Sequence, residues 1–512
     1  MNKTQTPSSN QLVDRTLGGF FWIFSGTGAQ AAFQFLTLIV LARLVTPEDF
    51  GVVNAAMVVI GFSMIFAHLG VGPALVQRDN LEERHLRTGL TISLLFALLL
   101  TVLIIVTAPL IAGFFRIEAL THVLRVLAFV FPLQAVAVVG ESLLQRHLKF
   151  RVMAMIQVFS FLLGYGLVGI GLALLGLGVW ALVGAHLSQN LLTMAMVLIK
   201  QPVPLRLQFE RKAFQELLYF GSGFTLAKIG NYIALQGDNL VVGRWLGPEA
   251  LGLYGRAYQL MVMPATLFGQ VMDKVLFPAM AKVQNEQERL AKTFRRGVAA
   301  VGLLTLPLTA GVVILAPEII LVLLGENWTA AIVPLQILAL GTLFRTSYKI
   351  SDSLVRAKGA VYRRAWRQWV YAGAVLSGAY AGHYWGLTGV AVGIVSALLL
   401  NFILMAALSL DLTHIPLKQF LAAHLPGLWL GIVVCLELLA LSPALRGYGL
   451  PSLVVLIISV SVVAVSVLLL VRIAPRFFLG EDGLWAYRKV KEFVHKRLQK
   501  TGSKIKQKKQ SS

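Results

Sequence analysis

The residues that could do chemistry in this 512-residue chain are charged and polar groups set inside long apolar stretches. Lys228, Asn231 and Asp238 fall within a sector of roughly 80° at 100° per residue, so they share one helix face. Arg345, Lys349, Asp352 and Arg356 follow at i, i+4, i+7 and i+11, again a single face. A charge at the centre of a membrane helix costs roughly 2.5–3.5 kcal/mol on insertion scales, so such groups normally face a bundle interior or a watered cavity. Cations outnumber acids on these faces, which suits an anionic ligand group such as a phosphate. Lys228, Arg345, Lys349 and Asn231 are therefore the candidate substrate-binding residues, with Asp238 and Asp352 as candidate ion-coupling carboxylates. The competing reading is an internal ion pair that only fixes helix packing.

Other polar stripes occur at helical spacing: Gln30 and Gln34; His186, Gln189, Asn190 and Thr193; Arg256, Gln259, Thr266, Gln270 and Asp273. Amide and hydroxyl stripes commonly glue membrane helices together, and His186 is expected as a satisfied core histidine. No nucleophile elbow, His/Glu zinc motif or glycine-rich phosphate loop is present, so no catalytic residue, cofactor or metal site is expected and the chain does not read as an enzyme. Cys435 is the one cysteine, which excludes a disulfide framework or a Cys/His metal cluster.

The elements that must carry these residues are membrane helices. Hydrophobic residues make up 57% of the chain and charged ones 13%, against about 25% charged in soluble domains. Apolar stretches of roughly 20 residues, the length that crosses the hydrocarbon, recur from Leu17 to Ile473. They predict an all-α polytopic membrane protein with about fourteen spans. The organisation expected is a polar N-terminus at 1–16, a lobe of six spans at 17–199, a linker at 200–219, a second lobe of six at 220–410, two further spans at 411–473, and a basic tail at 474–512.

The net charge of +22 follows topology, which argues against nucleic acid as a partner. Arg78, Arg84 and Arg87, then Arg146, Lys149 and Arg151, then Lys200, Arg206, Arg211 and Lys212, occupy alternate loops. Lys274, Lys282, Arg289, Lys292, Arg295 and Arg296, and then Arg356, Lys358, Arg363 and Arg364, continue the alternation. The intervening loops are poor in Lys and Arg, so the rich loops and both termini are predicted to be cytoplasmic. In the tail, Tyr487, Val490, Val494 and Leu498 line one face flanked by basic residues, an amphipathic helix suited to anionic membrane lipids.

The sequence also repeats itself. LARLVTPEDFGVVNAA at 41–56 and VGRWLGPEALGLYGRA at 242–257 align at an offset of 201 residues, pairing Arg43 with Arg244, Pro47 with Pro248, Glu48 with Glu249 and Gly51 with Gly252. Each block joins the first and second span of its half. Six spans separate the copies, an even number, so the halves are parallel repeats.

Residues 20–78, with LARLVTPEDFG and its echo GRWLGPEALGLYGRA, resemble the polysaccharide transporter family. These are the Wzx-type flippases and exopolysaccharide exporters of the multidrug/oligosaccharidyl-lipid/polysaccharide (MOP) superfamily, and the resemblance covers almost the whole chain. It implies a MATE-like pair of six-helix lobes with two extra C-terminal helices, working by alternating access. It also implies an oligosaccharide unit on a polyprenyl pyrophosphate as substrate, carried across the bacterial inner membrane, with other polysaccharide assembly proteins as partners. No family motif pins Lys228, Arg345 or Lys349, whose assignment rests on the helix faces. A MATE-like multidrug antiporter and, further off, a membrane polymerase or ligase are the rival functions. Spans one to three hold no acidic residue for binding cations, and the extracytoplasmic loops are too short for an exported catalytic domain.

Overall fold

The computed structural model describes residues 33–488 apart from 68–69, 79, 205 and 486; within its helices, the side chains of 213, 217–228, 264–265, 267–275 and 361 are outside the described residues. Every regular element among the described residues is helical. The order is α1 (Phe33–Leu44), α2 (Pro47–Ala67), α3 (Val71–Gln77), α4 (Glu83–Phe115), α5 (Leu120–Leu127), α6 (Val130–Arg146), α7 (Phe150–Phe161), a π-helical stretch (Leu162–Gly169), α8 (Ile170–Leu174) and α9 (Val179–Lys200). There follow α10 (Arg211–Trp245), α11 (Gly247–Lys282), α12 (Gln287–Leu323), α13 (Ile332–Leu340), α14 (Thr342–Ala357), α15 (Val361–Gly382), α16 (Gly386–Thr413), α17 (Leu417–Ala422), α18 (Leu425–Gly447) and α19 (Ser452–Ile473).

Among the described residues, nine helices are long and apolar enough to cross a membrane, and a tenth appears if the pair bent by 40° across Gly341 counts as one span. The chain is thus a multi-pass, all-helical membrane protein. Apolar length alone does not reach the expected fourteen, for readable reasons. Helix α10 is 35 residues long but carries a polar stripe, and the apolar part of the 36-residue α11 falls mostly on side chains outside the described residues. Helices α15 and α16 run together as one apolar element, and the first predicted span lies partly outside the described residues. The amphipathic tail expected around 487–498 also falls mostly outside them.

The chain divides into two compact units. The first runs up to Gly255 and takes in Leu323–Trp328; the second holds Arg256–Val322 and the rest from Thr329. In the first unit α10 packs against α2, α3 and α4, and α9 packs on α6, α7 and the π-helical stretch. The basic alternate loops meet at one end of this unit: Arg78 pairs with Glu216 at 2.9 Å, Arg84 with Glu210 at 3.0 Å, and Lys149 Nζ donates to Gln201 at 3.0 Å. The charge-poor loops meet at the other end. Trp328 Nε1 donates to Ala42 O at 2.8 Å, and a Cβ at Gly243 would touch the Phe115 ring at 3.0 Å. Loop-charge alternation and three-dimensional grouping therefore agree within this unit.

In the second unit, α12, α14 and α17 share a core of Leu290, Phe294, Ile350, Leu354 and Phe420. Helices α15 and α16 approach backbone to backbone at Gly378 with Gly393 and Gly382 with Gly389, the close packing that small residues allow in membranes. An ion pair between a buried carboxylate and an exposed guanidinium ties α18 to α12: Arg446 Nε lies 2.6 Å from Glu318 Oε1 and Nη2 2.9 Å from Oε2. After α19, residues 475–485 form a further helical stretch. It is held by Arg295 to Asp482 at 2.7 Å and by Arg296 lying 3.8 Å over the Trp485 ring.

Candidate functional site

In the first unit the polar face of α10 centres on Asp238. Its residue is 2% exposed. The Tyr254 hydroxyl donates to Oδ2 at 2.7 Å, and the Asn239 backbone N–H donates to Oδ1 at 2.9 Å. Two donors on a carboxylate buried this deeply compensate part of the cost of removing it from water. Tyr254 is also fully buried, on the first turns of α11, so this bond fixes the α10–α11 corner. Asn231 sits on the exposed part of α10, while the side chain of Lys228 lies outside the described residues.

In the second unit the face predicted on the tenth span lies on α14. Arg345 Nη1 donates to the Tyr258 hydroxyl at 2.7 Å, with Cζ 5.3 Å from the ring centroid. Lys349 follows one turn later, half-buried like Arg345, and its carbonyl accepts from Ser353 Oγ at 3.0 Å. Asp352 stands between two guanidinia: Arg356 Nε is 3.1 Å from Oδ2, and Arg364 of α15 binds Oδ1. Its side chain is 14% exposed. A carboxylate so engaged is well suited to positioning two arginines. Next to it the Tyr348 hydroxyl donates to Gln368 Oε1 at 3.2 Å.

The structure thus brings Asp238 to Tyr254, Arg345 to Tyr258, and Asp352 to Arg356 and Arg364. Sequence reasoning missed both tyrosines. The signal was present, since Tyr254 and Tyr258 are one turn apart on α11, but aromatic residues in an apolar stretch do not stand out as polar partners. It also passed over Glu437, which accepts from Ser466 Oγ at 2.6 Å between α18 and α19. The stripe on α9 does tie helices together: Gln134 Nε2 of α6 donates to Asn190 Oδ1 at 2.8 Å, and Tyr165 meets His186 Nδ1 at 3.3 Å.

Outside the apolar spans, Glu216 shows how the basic loops are stapled. Burial alone would raise its carboxyl, but the hydrogen bond to His85 and the charges of Arg78, His85 and Lys212 outweigh it and hold the group below the usual carboxylate range.

Residues 40–333 match a family described as "Polysaccharide biosynthesis protein". Among curated proteins, the chain is 27% identical to "Teichuronic acid biosynthesis protein TuaB" of Bacillus subtilis (strain 168), over 68% of this chain and 72% of that one. It is 24% identical to "Lipopolysaccharide biosynthesis protein WzxC" of Escherichia coli (strain K12), over 85% and 88%. It is 29% identical to "Succinoglycan biosynthesis transport protein ExoT" of Rhizobium meliloti (strain 1021), over 65% and 67%. Among solved structures, the fold is similar to "Lipid II flippase MurJ, inward closed conformation", with a TM-score of 0.71 at 16% identity over 88% of this chain and 98% of that one. It is also similar to an inward-facing multidrug resistance MATE family transporter of the MOP superfamily, with a TM-score of 0.60 at 20% identity over 75% and 96%.

Proposed function

We propose that this chain, which belongs to the polysaccharide biosynthesis protein family, is a flippase that carries polyprenyl-pyrophosphate-linked oligosaccharide units across the cytoplasmic membrane for surface polysaccharide assembly. The family match over residues 40–333 carries this reading. The cationic helix face supports it, because a pyrophosphate headgroup that leaves water needs compensating charge along its route. The prenyl chain needs none and stays in lipid.

In this reading about fourteen spans form two parallel six-helix lobes with an appended pair, in the bacterial inner membrane, with both termini cytoplasmic. Lys228, Asn231, Arg345 and Lys349 bind the pyrophosphate and the sugar nearest it, with Tyr258 orienting the Arg345 guanidinium. Asp238 is the ion-coupling carboxylate, and its partner Tyr254 makes its occupancy felt at the α10–α11 corner. Asp352, the other acid expected to couple ions, serves by positioning Arg356 and Arg364. Other assembly proteins take the unit once it is across.

Deletion of the gene tests this. The expected outcome is loss of surface polysaccharide together with accumulation of the lipid-linked unit on the cytoplasmic leaflet, both restored by the intact gene. Normal surface polysaccharide in the deletion strain would overturn the reading.

A further inference from the structure

The duplicated turns that reveal the repeat also touch each other. Gly51 on α2 faces the backbone carbonyl of Pro248, and Gly252 on α11 faces the backbone carbonyl of Pro47. A Cβ added at either glycine would overlap the opposing carbonyl, which is backbone and cannot turn aside. The 201-residue offset maps Gly51 onto Gly252 and Pro47 onto Pro248, so the contact is reciprocal. Neither glycine has a positive φ, so neither is needed for backbone conformation. Glycine inside a helix costs up to about 1 kcal/mol relative to alanine, and the close approach is the one local feature that requires it.

A collar surrounds this contact with the same symmetry. Ala42, whose carbonyl accepts from Trp328 Nε1 at 2.8 Å, maps onto Gly243, which lies against Phe115. Trp328 is fully buried and meets Phe50 edge-on, with centroids 5.5 Å apart. A long polar contact also crosses the turns, with Asn54 Nδ2 3.5 Å from Leu251 O. A tight contact through two glycines excludes solutes yet can part, because close backbone packing is what holds it. Every loop that contributes belongs to the set poor in Lys and Arg.

We propose that the paired Pro-Glu-x-x-Gly turns form a symmetric latch that closes the extracytoplasmic end of the transport path. Gly51 and Gly252 are its positioning residues, because a carbonyl can seat only where no Cβ stands. This rests on the flippase reading, in which the two turns must separate for the substrate to leave.

The test uses full-length protein in proteoliposomes, with Cys435→Ser removing the one native thiol. Asn54 and Gly255 are also related by the offset, and the Cβ position of Gly255 lies 3.5 Å from Asn54 Cγ, so Asn54→Cys with Gly255→Cys can form a disulfide. The expected result is oxidative crosslinking that lowers translocation of a fluorescent polyprenyl-pyrophosphate disaccharide about tenfold or more, with recovery on reduction. In parallel, Gly51→Ala with Gly252→Ala is expected to speed labelling of Asn54→Cys by an impermeant maleimide about tenfold, because the closed state loses population. Crosslinked protein that translocates as fast as reduced protein overturns the latch, as does alanine-bearing protein that keeps the slow labelling rate. Parent protein that crosslinks and labels as expected yet translocates nothing would count against the flippase reading instead.

Discussion

The ion pair between Glu318 and Arg446 offers a quantitative check on how α18 is held against α12. The carboxylate side chain is 4% exposed and the guanidinium side chain 42% exposed, so the two partners are not equivalent. Removing Glu318 leaves an arginine that can turn toward water while keeping its bond to Ile314 O at 3.2 Å. Glu318→Gln should therefore cost about 1–2 kcal/mol, nearer a lost charged hydrogen bond than a stranded ion. Removing Arg446 strands a buried carboxylate, and Arg446→Leu should cost about 3–4 kcal/mol. Replacing both by leucine removes both desolvation penalties and should recover most of that loss. Thermal unfolding of the purified protein in detergent, followed by size-exclusion fluorescence, should rank wild type highest, then Glu318→Gln, with Arg446→Leu lowest and the double leucine variant well above it. A double variant no more stable than Arg446→Leu alone would contradict a stranded Glu318 carboxylate, as would a Glu318→Gln protein less stable than Arg446→Leu.

Three further outcomes are expected. Lys349→Ala, Arg345→Ala and Lys228→Ala should each abolish surface polysaccharide at normal protein level, as read by polysaccharide staining beside an immunoblot; normal export by all three would sink the phosphate-site assignment. Tyr254→Phe removes one oxygen and opens no cavity, so it should slow export several-fold through loss of a hydrogen bond to a charged group, while Tyr254→Ala should also lower protein level through the cavity. Glu216 is held below the usual carboxylate range, so its pairing stabilises the protein above that range and is lost as pH falls through its lowered folded value. Glu216→Gln should accordingly flatten the acid limb of thermal stability below the usual carboxylate range, and an unchanged limb would count against the staple.

The fold class was legible from apolar length and loop charge because both follow directly from the cost of placing charge in hydrocarbon. The repeat was legible because Arg-x3-Pro-Glu-x2-Gly is too specific to arise from apolar composition. What the sequence did not reveal was that its two copies meet, with Gly51 against Pro248 and Gly252 against Pro47; contact between residues some 200 apart leaves no local pattern. At the candidate site, helical spacing singled out Asp238, Arg345 and Asp352, to each of which the structure adds its partners. It missed Tyr254 and Tyr258, since their hydroxyls act as partners only once two helices are side by side. It also placed Asp352 and Arg356 on one face without seeing that Arg364 would complete the clamp from the next helix.

The most direct measurement is translocation of a polyprenyl-pyrophosphate oligosaccharide by the purified protein in proteoliposomes, read as accessibility of the sugar to an impermeant glycan-modifying reagent. Protein-dependent movement is expected, and it should be lost in the Arg345→Ala and Lys349→Ala variants. Correctly inserted wild-type protein that leaves the sugar on its original leaflet would contradict the flippase reading.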